Sequence, residues 1–331
     1  MGADSKIEWT HHTFNPWWGC TRVSPGCEHC YAETFAKRVG QKVWGVQAER
    51  RFFGDKHWAE PLKWDAAAEK AGERHRVFCA SMADVFEDRR DLDEQRQRLW
   101  ELICATPSLD WLLLTKRPEN IARLLPLGWV EVPMRNVWLG TTVEDQRRAD
   151  ERIPHLLSVP AAVRFLSCEP LLERVDLRAV KWPNKGEHRV DVLRFGYWSI
   201  PDRIGVTGFV THSDMHDDFG HPIDWVIVGG ESGHGARPCA VEWIEHVVDQ
   251  CKAANVPVLV KQLGACVVSE ERTALSSAFP EPDRFALMAK YRAPNGEVWA
   301  WRAGLADKKG GDWNEWPEEM RVREYPTPRV I

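Results

Sequence analysis

Three of the chain's nine cysteines, Cys20, Cys27 and Cys30, fall within eleven residues at the spacing C-x6-C-x2-C. Between the first two lies Ser24-Pro25-Gly26, a turn-forming run. After the third, Tyr31-Ala32-Glu33-Thr34-Phe35-Ala36-Lys37-Arg38 opens a helix predicted over 31–39. The spacing therefore predicts a loop that presents three thiols and then enters a helix. Thiolates grouped in this way bind a metal ion or an iron–sulfur cluster. A structural zinc site is closed by four ligands, so a count of three favours a cluster with one iron left open for a ligand. Two alternatives stay open. His29 is a possible fourth zinc ligand, although Cys27-Glu28-His29-Cys30 would have to crowd three side chains onto one ion. The thiols are also readable as unliganded or disulfide-paired.

The elements that position this loop follow a rhythm. Residues 5–14 read as a first strand leading into it, and a short helix is expected around 61–71. Apolar runs at Arg76–Ala80, Trp111–Leu114, Asn136–Thr141, Val163–Ser167, Trp225–Val228 and Val256–Val260 read as strands. Helices are predicted over Asp91–Cys104, Pro118–Leu125, Val143–Leu157 and Val241–Ala254, with Leu92, Leu99, Leu102 and Ile103 marking one inner face. Strands this apolar, alternating with helices, indicate a parallel sheet covered on both faces. Seven strands suit an α/β fold, a partial (β/α) barrel of about six or seven parallel strands; a doubly wound open sheet is the second choice. Barrel chemistry collects at the carboxyl ends of strands. There the sequence places Ser81 and Asp84, Lys116 and Arg117, Thr142 and Glu144, Cys168 and Glu169, Gly229, Gly230 and Glu231, and Lys261. Cys168 is readable as a hydrogen-atom donor to a substrate radical or as a core cysteine, Glu169, Glu231 and Lys261 as partners in salt bridges at the barrel mouth, and the tandem His11-His12 as lining that mouth.

The block Gly19-Cys20…Cys27-x-x-Cys30-Tyr31-Ala32 resembles the cluster loop of the radical S-adenosylmethionine (SAM) superfamily, in particular the branch containing spore photoproduct lyase. The superfamily's usual first interval is three residues, and here it is six. The chain is more similar still to a phage-associated three-cysteine-motif family that looks radical-SAM-like. The shared blocks are Asn15–Cys20, Leu114–Glu119, Leu139–Glu144 and Asp224–Gly233, spanning about residues 7 to 265. The resemblance implies a [4Fe–4S] cluster on the three cysteines, SAM at its open iron, and a 5′-deoxyadenosyl radical generated with a reductase or flavodoxin-type electron donor. It implies roles for the strand ends: Ser81 and Asp84 for the SAM amino group, Lys116 or Arg117 for its carboxylate or a substrate phosphate, Thr142 and Glu144 for the ribose. Gly229-Gly230 would let a ligand approach the backbone, with Glu231 beside them. Cys168, Lys116 and Glu169 would then act on the substrate, which by analogy is a nucleic acid or nucleotide. The other reading is a zinc-binding structural or nucleic-acid-binding phage-associated protein without catalysis.

Composition sets the outer bounds. The chain has 331 residues and is 44% hydrophobic, enough for a sizeable core. No run of about 18 apolar residues suggests a membrane span, and Met1–Glu8 lacks the apolar core of a signal peptide. A cytoplasmic protein with reduced thiols is expected. Cys79, Cys104, Cys239, Cys251 and Cys266 sit in apolar surroundings and read as core or near-core residues. A net charge of −5 argues against a chain basic throughout, though not against a local basic patch. Eighteen Trp against four Tyr read mainly as packing, with base-stacking platforms as the sharper alternative. Two stretches break the rhythm. The insertion 178–223 is expected to hold a small hairpin, and its His212, His216 and His221 with Asp214, Asp217 and Asp218 are readable as a second metal site or as a polar surface loop. Residues 266–331 form a C-terminal extension, leaving 1–265 as the barrel.

Overall fold

The computed structural model of the chain describes residues 5–183, 189–198, 209–210, 221–269, 285–293 and 296–329. Its main sheet contains seven strands: β1 (His12–Phe14), β2 (His75–Cys79), β3 (Leu109–Thr115), β4 (Val137–Thr142), β5 (Val163–Cys168), β6 (Trp225–Gly229) and β7 (Val258–Gln262). All run parallel and curl into a half-barrel. Each strand neighbours the next one in sequence, with no reversal of order. A doubly wound sheet reverses its order at a switch point, so this alternative is excluded. The strands are parallel because each crossover, helical in most cases, returns the chain to the same end of the sheet. Among these helices are α1 (Tyr31–Arg38) and α2 (Glu60–Ala71) between β1 and β2, and α3 (Asp93–Cys104) before β3. Next come α4 (Gln146–Leu157) before β5 and α5 (Val241–Ala254) before β7. Burial of every residue of β4, β5 and β6 explains their unbroken apolar runs.

The contacts of the chain divide it into two compact units. One comprises residues 1–141, 155–165 and 327–331, and the other 142–154 and 166–326. In the first, Trp9 packs on Phe78, Phe14 on Trp58 and Trp111, and Leu92, Leu99, Leu102 and Ile103 are buried, as their spacing predicts. In the second, the open edge of β7 is covered by the chain's own C-terminal segment. Val260 N donates to Val322 O at 2.9 Å and Glu324 N to Val258 O at 3.0 Å. An edge strand left bare would offer its unpaired backbone to any other chain. Trp225 Nε1 donates to Glu324 O at 2.9 Å, which ties the same segment to β6.

Several expectations change in detail. The first strand is only three residues long, because Ile7–Thr10 form a turn closed by Thr10 N to Ile7 O. The last sheet strand begins two residues later than expected, at Val258. Cys104 is exposed rather than near the core, as the last residue of α3. The insertion holds a four-stranded antiparallel sheet (Val180–Lys181, Arg189–Asp191, Gly196–Trp198, Phe209–Val210), more than a hairpin. Of its suspected metal ligands, His212, Asp214, His216, Asp217 and Asp218 lie outside the described residues, and His221 Nδ1 sits 3.3 Å from Asp224 Oδ2. His11 and His12 do not line the mouth of the barrel. They stand at the amino end of β1, His11 stacked on His75 at 4.9 Å and His12 on Trp64 at 4.5 Å. Among the described residues, no helix is long and apolar enough to cross a membrane.

Candidate functional site

The strand-end residues form one group in each unit. In the first unit, the loop carrying Cys20, Cys27 and Cys30 is pinned to the carboxyl ends of β2 and β3. Gly19 N donates to Met82 O at 3.0 Å, and Tyr31 Oη at the start of α1 donates to Ser81 O at 2.7 Å. Gly19 has φ +117°, and a Cβ there would run into the Val43 carbonyl oxygen and stand 2.7 Å from the Arg50 side chain. Only glycine fits both the left-handed backbone and the close approach. The residue before the first cysteine is therefore set by packing.

Two buried arginines complete the clamp. Arg117 donates from Nη1 to Asp84 Oδ2 at 2.8 Å and to Cys20 Sγ at 3.6 Å, and from Nη2 to Thr21 O at 2.6 Å. Arg50 forks onto Glu87 at 2.8 and 3.1 Å and donates to Thr21 Oγ1 at 3.0 Å. Its Nη1 also gathers the carbonyls of Val43, Gly45 and Ala48. Arg50, Asp84, Glu87 and Arg117 are each no more than 7% exposed. Buried charges persist only when paired and hydrogen-bonded, and here the pairing is spent on Thr21 and Cys20. Burial pushes the Cys20 thiol up to about 12, against the pull of Arg117. Burial works against the Arg117 charge, but Asp84 and then Cys20 hold the guanidinium above its ordinary value.

Cys27 and Cys30 lie farther along the loop. Cys27 closes a 3-10 turn over Pro25–Cys27, with Ser24 Oγ 3.9 Å from its sulfur. Cys30 caps α1 and packs with Trp18, Phe35 and Trp44 against Ala32, Ala36, Val43 and Met82. All three thiols are free and partly exposed. Among the described residues, no three His, Cys, Asp or Glu side chains are gathered closely enough to hold a metal ion. The fit to a three-thiolate ligand set lies in the donors themselves. They are three free thiols on one loop, the first already beside a guanidinium that would favour its anionic form.

Not every predicted residue of this group faces a ligand. Asp84 accepts from Thr115 Oγ1 at 2.7 Å, from Phe86 N, from Lys116 N and from Arg117, so its carboxylate is committed to the loop clamp. Ser81 is 8% exposed, and Asn15 Nδ2 donates to its hydroxyl at 3.1 Å. Lys116 is the exception. Its side chain is partly exposed and its ammonium has no ion pair among the described residues.

In the second unit the predicted groups are mostly consumed by the fold. Thr142 and Glu144 were expected at a ribose, but both are at most 1% exposed. Arg152 Nη1 donates to Glu144 Oε2 at 2.6 Å and to Thr142 O at 2.8 Å, a buried pair with no face left for a sugar. Gly229 and Gly230 do not open the backbone to a ligand. A Cβ on Gly229 would stand 2.9 Å from Gln262 O, and one on Gly230 would overlap Leu263 O, so the chain itself fills the space. Glu231 receives Arg237 through two side-chain bonds, at 2.6 and 3.1 Å, and its backbone N–H at 2.8 Å, which closes its own loop. Cys168 is fully buried, and burial raises its thiol well above the ordinary range, with Glu169 and Glu144 adding to the effect. It neighbours Cys251 of α5, also buried. This is the environment of a core cysteine. Glu169 and Lys261 form the expected ion pair at 3.1 Å, and both remain partly exposed at the ends of β5 and β7.

Sequence reasoning missed Gly19, Thr21, Tyr31, Arg50 and Glu87. Only Gly19 carried a readable signal, a glycine directly before the first cysteine. Arg50 lies in an irregular segment without periodicity, and its partner is 37 residues away.

The family described as Protein of unknown function (DUF5131) matches residues 4–304. The chain belongs to this family. No curated protein and no solved structure matched the chain. The family's span takes in the whole half-barrel, the cysteine loop and both groups of strand-end residues.

Proposed function

We propose that this member of the DUF5131 family is a radical SAM-type enzyme of the cytoplasm, with a [4Fe–4S] cluster on Cys20, Cys27 and Cys30 and SAM as cosubstrate. It acts on a nucleic acid or nucleotide and takes its electron from a reductase or flavodoxin-type donor. The observation that carries this reading is the docking of a three-thiol loop onto the carboxyl ends of β2 and β3 of a parallel half-barrel, where such folds collect their chemistry. When bound, the cluster supplies the electron for cleavage of SAM, and the protein supplies position and shelter.

The residues of the chain take roles consistent with this reading. Arg117 orients Cys20 and places positive charge beside a sulfur that must be anionic to ligate a metal. Asp84 and Glu87 hold the two arginines in place. Lys116, next to the clamp and with no carboxylate partner among the described residues, suits the carboxylate of SAM or a substrate phosphate. Glu169 and Lys261 form a second charged pair at strand ends, available to a substrate at the cost of their mutual contact.

The test is anaerobic reconstitution followed by counts of iron and sulfide, low-temperature EPR, and an assay for 5′-deoxyadenosine after addition of dithionite and SAM. About four irons per chain and deoxyadenosine formation support the reading, and Cys27→Ala should abolish both. Zinc without iron, and no deoxyadenosine, would replace it with the zinc-binding, non-catalytic alternative.

A further inference from the structure

A strip of aromatic rings and guanidinium groups runs beside the cysteine loop. Trp18, two residues before Cys20, pairs across a short antiparallel ribbon with Arg51. The Arg51 guanidinium lies 4.8 Å from the Trp18 ring centre and 5.3 Å from that of Phe53. Trp18 meets Phe53 at 5.8 Å on one side and Phe35 at 5.9 Å on the other, and Arg38 lies over Phe35 at 5.2 Å. The order along the strip is thus Arg38, Phe35, Trp18, Arg51, Phe53. Beyond Phe53 a shallow hollow of about 500 Å³ is lined by Asp55, Lys56, His57 and Glu60 as well as by Phe53 itself, within the size range of small-ligand sites.

The charge on this strip is unspent. Arg38, Lys42, Arg51 and Lys56 are all exposed and pair with no carboxylate among the described residues. The two acids lining the hollow are engaged, Asp55 with Arg98 and Glu60 with Lys63. A local excess of free cations on a chain of net charge −5 calls for an anionic partner. Guanidinium groups held over rings also offer stacking surfaces to bases while neighbouring cations follow a phosphate backbone. A duplex hides its base faces, so the strip fits a single strand.

We propose that the strip from Arg38 to Phe53 binds single-stranded nucleic acid, with bases stacked on Arg51 where it lies over Trp18 and Phe53, and phosphates on Arg38, Lys42 and Lys56. This deepens the proposed function by placing the substrate class near Cys30, which packs with Trp18 and Phe35 against one buried cluster of Ala32, Ala36, Val43 and Met82.

The test uses the full chain without metal and a fluorescein-labelled oligothymidylate of about twelve nucleotides, read by fluorescence anisotropy at about 50 and 200 mM salt. Saturable binding that weakens with salt is expected. Phe53→Ala and the double variant Arg38→Ala/Arg51→Ala should each raise Kd about tenfold. Leu127→Ala, at an exposed site that is not part of the strip, should leave Kd unchanged. Absence of binding by the wild type would overturn the proposal. So would equal binding by Phe53→Ala, or a duplex of the same length competing as well as the single strand. Because no cluster is needed, iron and deoxyadenosine without oligonucleotide binding would defeat this inference alone. Oligonucleotide binding without iron would defeat only the cluster reading.

Discussion

Arg117 and Cys20 meet at 3.6 Å across 97 residues of sequence, and the same guanidinium holds the carbonyl of Thr21 and the carboxylate of Asp84. One buried cation thus joins the first cysteine of the loop to the ends of two sheet strands. Arg117→Met would leave Asp84, 5% exposed, with its buried charge uncompensated. A loss of about 3 kcal/mol is expected. Adding Asp84→Asn should restore at least half of it, because the orphaned charge is removed with its partner. Urea denaturation of the four proteins in the cycle measures this. Additive losses would show that the two side chains do not act as a pair.

Gly19→Ala should be as damaging as a core truncation although the residue has no side chain to lose. The added methyl meets the Val43 carbonyl, and the φ of +117° is itself strained for alanine. A cost of about 2–3 kcal/mol is expected, read as a lowered thermal midpoint. Iron loading on reconstitution should fall with it, since Gly19 N anchors the loop to Met82. A variant with an unchanged midpoint would mean that the loop is not docked at this point.

The half-barrel was readable from the sequence because a parallel sheet buries both faces, which leaves apolar runs such as Trp111-Leu112-Leu113-Leu114 that no surface strand would carry. The cysteine loop was readable because ligand spacing is local. The roles of the strand ends were much less so. Glu144, Glu231 and Asp84 look alike in the sequence, an acid just past an apolar strand. Their fates depend on Arg152, Arg237 and Arg117, which lie 8, 6 and 33 residues away. A one-dimensional pattern marks where charge stands but not which charge it meets. The insertion, read as a hairpin, shows the same limit, since strands of two or three residues carry too few side chains to display a period.

The cysteines should separate cleanly into two classes. Cys20→Ala, Cys27→Ala and Cys30→Ala should each bring reconstituted iron close to zero. Cys104→Ser, at an exposed helix end, should leave it intact. Cys168→Ala should also retain iron and deoxyadenosine formation while losing about 1 kcal/mol of stability, the usual cost of a small core deletion. Loss of turnover in Cys168→Ala with iron retained would return that thiol to the chemistry. Equal loss of iron in Cys104→Ser and Cys27→Ala would dissolve the three-cysteine assignment.

Two groups outside the loop should shape the pH dependence of stability with opposite signs. Burial, reinforced by Glu242, Glu319 and Asp249, raises the Glu245 carboxyl from 4.5 to about 7. The folded chain therefore binds a proton there that the unfolded chain has released. The stability linked to it is fully present below about pH 4.5 and is lost as pH rises through 7. His11 moves the other way. Burial, then Arg76 and His75, lower its pKa from 6.5, against a smaller pull from Glu73. Its contribution is present above pH 6.5 and is lost as pH falls through the folded value. Glu245→Gln should stabilise the protein at about pH 8 by about 1 kcal/mol, after discounting the shift for a half-exposed side chain. His11→Asn keeps an acceptor for the Arg76 N–H, which the imidazole Nδ1 holds at 2.8 Å, and should reduce the loss below pH 6.5. Denaturant midpoints of the wild type and both variants, taken between about pH 5 and pH 8, separate the two effects. Parallel curves for Glu245→Gln and the wild type would show that this carboxylate is solvated, and that its acidic neighbours on α5 carry no cost near neutral pH.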